Sequence, residues 1–325
     1  MNSYVSLSKK ALYLIVWICT VFVPTSASAQ AIINDLSAPQ SIIANSEKGY
    51  LVANANGEPG NRDNKGFISQ LDDTGKLTHT HFIQGGKDGT VLNSPTGMVI
   101  VGDILYVADI DTIRGFMRTT GESVSSVSMT RFHCSTLTGL TANKSGQLFV
   151  SDTATDAIYR IDPAQEFAVS LVVQDEALSG PRGLAIHPHT GRLTGVSWEG
   201  GKVFEVSESG EIKELLSNSF FSRRFHNLDG IAFDRYGSMY ISDMSAGKVW
   251  RVLADLKKQV IAEFLVSPAG IGVDREKHLI LVPYLYANGA EINGLEQPSN
   301  SGKKRKPRDL SDYGLGWTKK DQPNE

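Results

Sequence analysis

Short apolar runs alternate with polar turns along almost the whole chain, and one arrangement of them recurs. Its clearest copy, LDGIAFDRYGSMYISDMSAGKVWRV, has apolar runs at residues 230–233, 239–242 and 248–252. Runs this short, rich in Val, Ile, Leu and Tyr and bounded by Gly, Asn and Asp, predict β-strands rather than helices. The apolar stretch that follows, residues 261–266, predicts a fourth strand.

This arrangement occurs in five clear copies and one degenerate copy, which opens the series. Four antiparallel strands per copy predict an all-β protein, a six-bladed β-propeller around a central channel. A Gly in the first strand of most copies permits close backbone packing along that channel. A β-sandwich lacks such a repeat and a parallel β-helix has shorter coils, so both folds agree less well with the sequence than a propeller does. The copies begin at Ala38, Ser94, Thr136, Gly180, Asn227 and Ser267.

The last copy is short by at least one strand. After Tyr284 it offers one weak apolar stretch, residues 290–292, before the chain becomes polar. Residues 31–36, AIINDL, precede the first copy and are predicted to supply the missing outer strand. Such pairing joins the two ends of the propeller and removes an open sheet edge. We therefore predict one propeller domain over residues 30–297.

The N-terminal residues 1–29 have the features of a secretory signal. Lys9 and Lys10 precede an apolar run over residues 11–23, and a small-residue stretch then ends in Ala-Ser-Ala. Cleavage there leaves Gln30 as the first residue. An uncleaved anchor is the alternative, although the apolar run is short for a membrane span. We expect an exported protein, periplasmic or extracellular, without a stable membrane anchor after cleavage.

The charge balance and the cysteine content indicate which partners and which cysteine chemistry to expect. The 32 Lys and Arg residues nearly balance the 35 Asp and Glu residues, so a nucleic-acid partner is not expected. The basic run at residues 303–308 lies in a polar tail, residues 298–325, which is predicted to be disordered. Weak association of the tail with an anionic surface is the alternative. Removal of the signal leaves Cys134 as the single cysteine, which we expect to be buried and inert.

The repeated words, such as PRGLA, LDGIA, LYVAD and MYISD, resemble those of the NHL-repeat and senescence-marker-protein/gluconolactonase propellers. The resemblance spans residues 38–284 and implies a six-bladed propeller. It also implies a lactone or ester hydrolase that holds one divalent cation, Ca²⁺, Mn²⁺ or Zn²⁺, at the top of the channel. The family ligands are Glu, Asn and Asp side chains placed just before the repeat Gly. In this chain those positions are Gln40, Thr96, Thr138, Arg182, Asp229 and Ala269.

Only Asp229 matches a family ligand by identity. Gln40 stands in place of the acidic ligand, and Arg182 stands in place of an expected Asn. Hard cations require several oxygen ligands, and a guanidinium repels them. We therefore predict that the family metal site is lost, with Asp229 as its only remaining ligand if a cation binds. Arg182 and Asp229 are predicted to form an ion pair, and an anion anchor at Arg182 is the alternative.

Other candidate residues lie around the same end of the channel. The segment FFSRRFHNLDG is predicted to bring Phe220, Phe221, Arg223, Arg224, Phe225 and His226 to the rim as a recognition loop. His226, three residues before Asp229 in the chain and thus near it in sequence, is a candidate general base, and a rim histidine without a catalytic role is the alternative. Trp198 follows a second strand on the same face. Second strands also end in Asn54, Asp109, Asp152 and Asp243, and the Asp residues are predicted to bind backbone N–H groups of the turn that follows.

Three functions remain open. The leading hypothesis is an exported propeller that binds a small molecule or a protein partner at its top face, without a predicted cofactor. A lactone or ester hydrolase, with Asp229 and His226 as catalytic residues, is the first alternative. An interaction scaffold that uses the rim and the tail is the second alternative. The predicted ligand-binding residues are Gln40, Thr96, Thr138, Arg182, Trp198, Arg223 and Arg224.

Overall fold

A computed structural model describes residues 29–219 and 224–295 of the chain. These residues form six antiparallel sheets of four strands each, arranged as blades around a channel, which confirms the predicted six-bladed propeller. Helical structure in the described ranges is limited to four short 3-10 turns, Ser46–Lys48, Thr130–Phe132, Pro163–Gln165 and Glu176–Leu178. No helix of these ranges is long and apolar enough to cross a membrane.

The chain begins with a separate strand, β1 (Ala29–Ile33), and then forms the blades in order. Blade 1 contains β2 (Pro39–Ala44), β3 (Tyr50–Asn54), β4 (Phe67–Leu71) and β5 (Leu77–Gln84). Blade 2 contains β6 (Pro95–Val101), β7 (Ile104–Asp109), β8 (Thr112–Met117) and β9 (Ser123–Ser128). Blade 3 contains β10 (Leu137–Ala142), β11 (Leu148–Asp152), β12 (Ala157–Asp162) and β13 (Ala168–Gln174).

The second half repeats this order. Blade 4 contains β14 (Pro181–Ile186), β15 (Leu193–Ser197), β16 (Val203–Val206) and β17 (Ile212–Leu216). Blade 5 contains β18 (Leu228–Phe233), β19 (Met239–Asp243), β20 (Lys248–Val252) and β21 (Lys258–Ala262). Blade 6 contains β22 (Gly272–Asp274), β23 (Leu279–Tyr284) and β24 (Gly289–Gly294), and β1 is its outer strand.

The predicted ring closure is confirmed. Strand β1 pairs antiparallel with β24, with Ala31 opposite Ile292 and Ile33 opposite Ala290. The inner strands of the first and last blades are also joined, because Gly270 N–H donates to the carbonyl of Gln40 at 2.9 Å. Both the outside and the inside of the ring are therefore closed between blades 6 and 1.

The hydrophobic core consists of six clusters, one at each contact between neighbouring blades. The cluster between blades 1 and 2 includes Leu51, Ile68 and Phe116, and the one between blades 4 and 5 includes Val203 and Phe233. No blade buries its sheet faces alone, since each cluster takes side chains from two blades. Apolar burial therefore holds the blades together in a ring and leaves a channel at its centre.

The fourth strand of blade 5 differs from its prediction. It spans Lys258–Ala262 and not residues 261–266. An outer strand exposes much of its surface, so Lys258 and Gln259 are accommodated at its start. Phe264, with φ 64°, then turns the chain towards the next blade. The predicted tail, residues 298–325, and the predicted signal up to residue 28 lie outside the described residues.

Candidate functional site

The six inner strands converge at the top end of the channel, the end at which the chain passes from blade to blade. There the residue before each repeat Gly packs against the preceding blade. A Cβ on Gly183 would lie 2.6 Å from the carbonyl oxygen of Asp229, and one on Gly270 would lie 2.8 Å from that of Gln40. In blades 2 to 6 the repeat Gly permits this approach because it has no Cβ. The ring residues are Gln40, Thr96, Thr138, Arg182, Asp229 and Ala269.

Blade 1 has Ser41 in place of the repeat Gly. Its Oγ donates a hydrogen bond of 2.5 Å to the carbonyl of Thr96 in blade 2. The inner strands of blades 1 and 2 are therefore also in contact. Here the contact is a hydrogen bond from a hydroxyl, whereas the other blades have a Gly without a side chain. Together the inner strands enclose a cavity of about 580 Å³ that extends from this ring to the lower end of the channel.

Arg182 and Asp229 form the predicted ion pair across blades 4 and 5. Nε of Arg182 lies 2.6 Å from Oδ1 of Asp229, and the contact is ionic because the N–H bond does not point at the oxygen. The carboxylate is almost fully buried, and the guanidinium is about a fifth exposed, at 20%. Burial raises the pKa of Asp229, while the positive charge of Arg182 acts in the opposite direction.

Trp198 completes the support of Arg182. The tryptophan lies in the loop between β15 and β16, and its ring centroid is 4.5 Å from Cζ of Arg182. This is a cation–π contact, which is stronger when the cation is shielded from water. Arg182 is thus held between an aromatic face and a carboxylate. Its charge is already compensated before any ligand arrives.

Gln40 is one of two ring residues with a buried side-chain nitrogen that has no hydrogen-bond partner among the described residues, and Arg182 is the other. The Gln40 side chain is buried, at 5% exposure, and lines the cavity. Nε2 makes no hydrogen bond with any described residue. A buried amide without a partner carries a desolvation penalty of about 1–3 kcal/mol. The residue therefore lines the cavity, while its amide nitrogen is covered by protein and unpaired.

The two ring threonines are committed to the framework. The hydroxyl of Thr96 lies 2.9 Å from the carbonyl of Leu137, to which it donates. Thr138 Oγ1 lies 2.8 Å from Oγ1 of Thr153 and 3.1 Å from Oγ of Ser151. Both threonines line the cavity, as predicted for ligand-binding positions, but their hydroxyls already bind other protein groups.

The donor set at this ring does not fit a divalent cation. Asp229 supplies the only carboxylate, and Arg182 occupies the space beside it. Elsewhere within residues 29–219 and 224–295, no group of three His, Cys, Asp or Glu side chains converges in a way that could hold a metal ion. Because hard cations need several oxygen ligands, the described residues provide no family-type metal centre.

The residues predicted to form the rim loop are only partly described, and the two exposed ones, Arg224 and His226, are held by different partners. His226 is exposed, and its backbone N–H donates to Oδ2 of Asp243 at 3.0 Å, with Nδ1 3.9 Å from the same oxygen. It is not among the residues that line the cavity with Asp229. Arg224 is exposed, and its backbone N–H binds Oδ1 of Asn218. Phe220, Phe221 and Arg223 lie outside the described residues.

Phe225 is not at the rim, contrary to prediction. Its side chain is buried in the cluster between blades 4 and 5, in edge-to-face contact with Trp250 at 5.2 Å between ring centroids. An isolated loop aromatic and a core aromatic cannot be distinguished by sequence spacing alone. The aromatic segment therefore contributes one anchor to the core and leaves His226 and Arg224 exposed.

The acidic residues that end second strands are structural, but their partners differ from the prediction. Asp109 binds the backbone N–H groups of Asn93 and Ser94, which precede the first strand of the same blade. Asp152 binds Thr136 in the same way. The predicted contact with the following turn occurs at Asp243, which accepts from Ala246 N–H. The carboxylates of Asp109 and Asp152 therefore connect the residues that precede the first strand of a blade to the end of its second strand.

The lower end of the channel was not predicted to carry a site. His187 lines the cavity there, and its ring lies 5.8 Å from that of His189. Burial lowers the pKa of His187, and the neighbouring His189 contributes in the same direction. Nδ1 of His187 accepts backbone N–H groups of its own turn, so this side chain stabilises the turn.

Comparisons with known proteins give the fold and no closer family. Neither a protein-family model nor a curated protein matches the chain. Among solved structures, a Bacteroides thetaiotaomicron protein of unknown function is similar with a TM-score of 0.63 and 14% identity, over 83% of this chain and 73% of that one. A streptogramin B lyase is similar with a TM-score of 0.55 and 11% identity, over 82% and 87% of the two chains.

A third similar structure is a catalytically inactive variant of virginiamycin B lyase from Staphylococcus aureus with quinupristin. Its TM-score is 0.58 at 15% identity, and the likeness covers 82% of this chain and 99% of the lyase. Identities this low establish a shared propeller fold and leave the chemistry of the site to be argued from its own residues. The chain is a six-bladed β-propeller whose top channel ring contains the Arg182–Asp229 ion pair and, in blade 1, the buried Gln40.

Proposed function

We propose that the protein binds a small molecule at the top end of its central channel. The observation that carries this proposal is a cavity of about 580 Å³ whose top end is lined by polar ring residues, among them Gln40, Thr138 and the partly exposed Arg182. A cavity of this size falls within the range of small-molecule sites. A ligand in the cavity would contact Gln40 and Arg182, which both line it.

The neighbouring residues support the same site. Arg182 is held by Trp198 and Asp229, so one wall of the channel mouth is rigid before binding. A preorganised wall lowers the entropy cost of ligand binding. A lyase of similar fold has been solved with quinupristin, which makes an organic ligand compatible with this type of propeller.

A thermal-shift screen of small amides, carboxylates, sugars and lactones tests the proposal. We expect at least one compound to raise the melting temperature of the unmodified protein and of Gln259→Met, but not of Gln40→Met. Gln259 is exposed on β21, so the same substitution there controls for the change of side chain. Equal stabilisation of both variants would place the ligand outside the channel ring.

A hydrolase remains the second candidate, because His226 lies beside the buried carboxylate of Asp243. In this version His226 acts as a base, and no step is assigned to a divalent cation, because the ring with Arg182 beside Asp229 does not fit one. Metal analysis of protein purified without chelator, followed by a lactone and ester screen with Ca²⁺, Mn²⁺ or Zn²⁺, tests it. A stoichiometric cation and turnover that both disappear in Asp229→Asn would favour the hydrolase over simple binding.

A protein partner at the top face is the third candidate. Phe264 and Tyr286 lie in loops of this face and are 58% and 68% exposed. Exposed aromatic side chains are enriched in protein interfaces. Pull-down with the full mature chain, with a chain that lacks residues 298–325 and with Phe264→Ser tests this role. Retention of all partners by both altered chains would exclude it.

Export completes the proposal. A signal over residues 1–29 and a disordered tail over residues 298–325 remain predictions from the sequence, and with them a periplasmic or extracellular location. The first strand, β1, begins at Ala29, next to the predicted cleavage point. N-terminal sequencing of protein recovered from the exported fraction should begin at Gln30. A retained Met1 would contradict cleavage.

A further inference from the structure

Arg182 carries hydrogen-bond donors that the protein does not use. A guanidinium has five N–H groups. None of those of Arg182 forms a hydrogen bond with a described residue, because Asp229 lies 2.6 Å from Nε without lying along its N–H bond. Nε is covered by protein, whereas Nη1 and Nη2 are not among the covered atoms. The side chain is 20% exposed and lines the cavity, so these two nitrogens are its accessible donors.

The plane of this guanidinium is fixed before a ligand arrives. The ring of Trp198 packs on it at 4.5 Å from Cζ. Trp198 is itself held on both sides, because its N–H donates to the carbonyl of Gly180 at 2.7 Å and its carbonyl accepts from Nδ2 of Asn227 at 3.0 Å. A ligand at Nη1 and Nη2 therefore meets donors that are already oriented, which lowers the entropy cost of binding.

Asp229 leaves one edge of the guanidinium open. It contacts Nε, and the edge formed by Nη1 and Nη2 lies on the opposite side of Cζ. The two parallel N–H bonds of such an edge match the two oxygens of a carboxylate. An amide or ketone carbonyl offers only one oxygen in their place. The other cations that line the cavity, Lys144 and Arg275, lie in turns at the lower end, so a planar anion of single charge suits Arg182 better than a multiply charged one.

We infer that the ligand of the channel is a carboxylate whose two oxygens bind Nη1 and Nη2 of Arg182. This inference rests on the proposed small-molecule function of the channel. It assigns the head group of the ligand to blade 4, where Trp198 and Asp229 hold the arginine. The remainder of the molecule occupies the cavity below the ring.

Three probes of nearly the same size and planar shape test the charge and the acceptors. Benzoate carries one negative charge and two acceptor oxygens, benzamide is neutral with one oxygen, and benzamidinium is positive without an acceptor. Dissociation constants are measured by ligand-observed NMR titration of the mature full-length chain at neutral pH. We expect benzoate to bind about tenfold more tightly than benzamide, since charge-assisted hydrogen bonds are roughly twice as strong as neutral ones. Benzamidinium should not bind measurably.

Substitutions then assign the preference to Arg182. Arg182→Lys keeps the positive charge beside Asp229 and removes the planar pair of donors, so benzoate should lose about tenfold in affinity. Arg160→Lys, at an exposed position of β12, is the matched control and should leave all three affinities unchanged. Asp229→Asn removes the neighbouring negative charge, so benzoate should bind about tenfold more tightly while benzamide changes little. This gain provides an independent test if Arg182→Lys does not fold.

The outcomes distinguish the inference from the function on which it rests. Benzamide or benzamidinium that binds as tightly as benzoate, and is lost in Arg182→Lys, would overturn the carboxylate class and retain a site at Arg182. Benzoate that binds equally to the unmodified protein, Arg182→Lys and Asp229→Asn would overturn the inference by placing the probe elsewhere. Failure of all three probes to bind would also overturn it, while thermal-shift hits that are lost in Gln40→Met would preserve the proposed function.

Discussion

The indole of Trp198 covers the guanidinium of Arg182 from within blade 4, and Asp229 contacts the same guanidinium from blade 5. The aromatic face limits access of water to the ion pair, which strengthens its electrostatic attraction. The contact with Asp229 also connects the top of blade 4 to the top of blade 5. Arg182 therefore shapes the channel mouth and joins two blades.

Loss of Arg182 should destabilise the protein in a pH-dependent way. We expect Arg182→Met to lower the free energy of unfolding by about 3 kcal/mol at neutral pH, because Asp229 is left buried without a counter-charge. Burial raises the pKa of Asp229, and removal of Arg182 raises it further. A carboxyl with a higher pKa in the folded state gains a proton on folding, so its destabilising effect decreases as the pH falls through that pKa.

Urea unfolding at neutral and at mildly acidic pH measures this effect. The difference between Arg182→Met and the unmodified protein should shrink on acidification, until Asp229 is protonated in the variant. Asp229→Asn is the control, because its amide does not titrate and Arg182 keeps its charge. A deficit of Arg182→Met that stays constant with pH would be incompatible with a raised pKa at Asp229.

The repeat glycines should be far less replaceable than Ser41. A Cβ on Gly183 would meet three backbone atoms of blade 5, the nearest being the carbonyl oxygen of Asp229 at 2.6 Å. We expect Gly183→Ala to lower stability by about 3 kcal/mol, since backbone cannot move aside as a flexible side chain does. Ser41→Ala loses one hydrogen bond to Thr96 and should cost about 1 kcal/mol. Similar losses for the two variants would refute the backbone argument.

Two adjacent isoleucines test the ring closure. Ile33 on β1 is 3% exposed and packs in the cluster between blades 6 and 1, whereas Ile32 is 40% exposed. We expect Ile33→Ala to lower the free energy of unfolding by about 3 kcal/mol and Ile32→Ala by less than about 1 kcal/mol. Chemical denaturation of both variants provides the comparison. Equal effects would mean that β1 contributes little to the last blade.

Cys134 should be unreactive in the folded protein. Its thiol is buried, and burial raises its pKa to about 12, with the nearby Asp152 acting in the same direction. The thiolate is the reactive form, so its population at neutral pH is very small. Titration of the mature chain with a disulfide reagent should detect one thiol after unfolding and almost none before. Rapid labelling under native conditions would contradict the buried position.

The architecture could be predicted because each blade repeats the same strand and turn signals. The alignment gave the six inner strands and the need for an N-terminal outer strand. Strand β21 was placed a few residues too late, because the polar Lys258 and Gln259 at its start lack an apolar pattern. Outer strands follow sequence periodicity weakly, since most of their surface is exposed to solvent.

The site could be predicted only as far as backbone positions determine it. Neighbouring inner strands place Arg182 next to Asp229, so their ion pair followed from the repeats. The packing of Trp198 on Arg182 depends on the conformation of a loop, and the burial of Phe225 depends on the neighbouring blade. The missing partner of Gln40 is a property of three-dimensional packing and has no counterpart in residue spacing.

Pairing of β1 with β24 also sets an order of events as the chain emerges. Blades 1 to 5 are each built from one continuous segment, whereas blade 6 needs both an early strand and the final one. Contacts between distant segments form slowly because a long loop must close first. Strand β1 therefore has no pairing partner until the whole of β24 has been synthesised. Completion of the ring is a late event, and the channel mouth acquires its full lining only then.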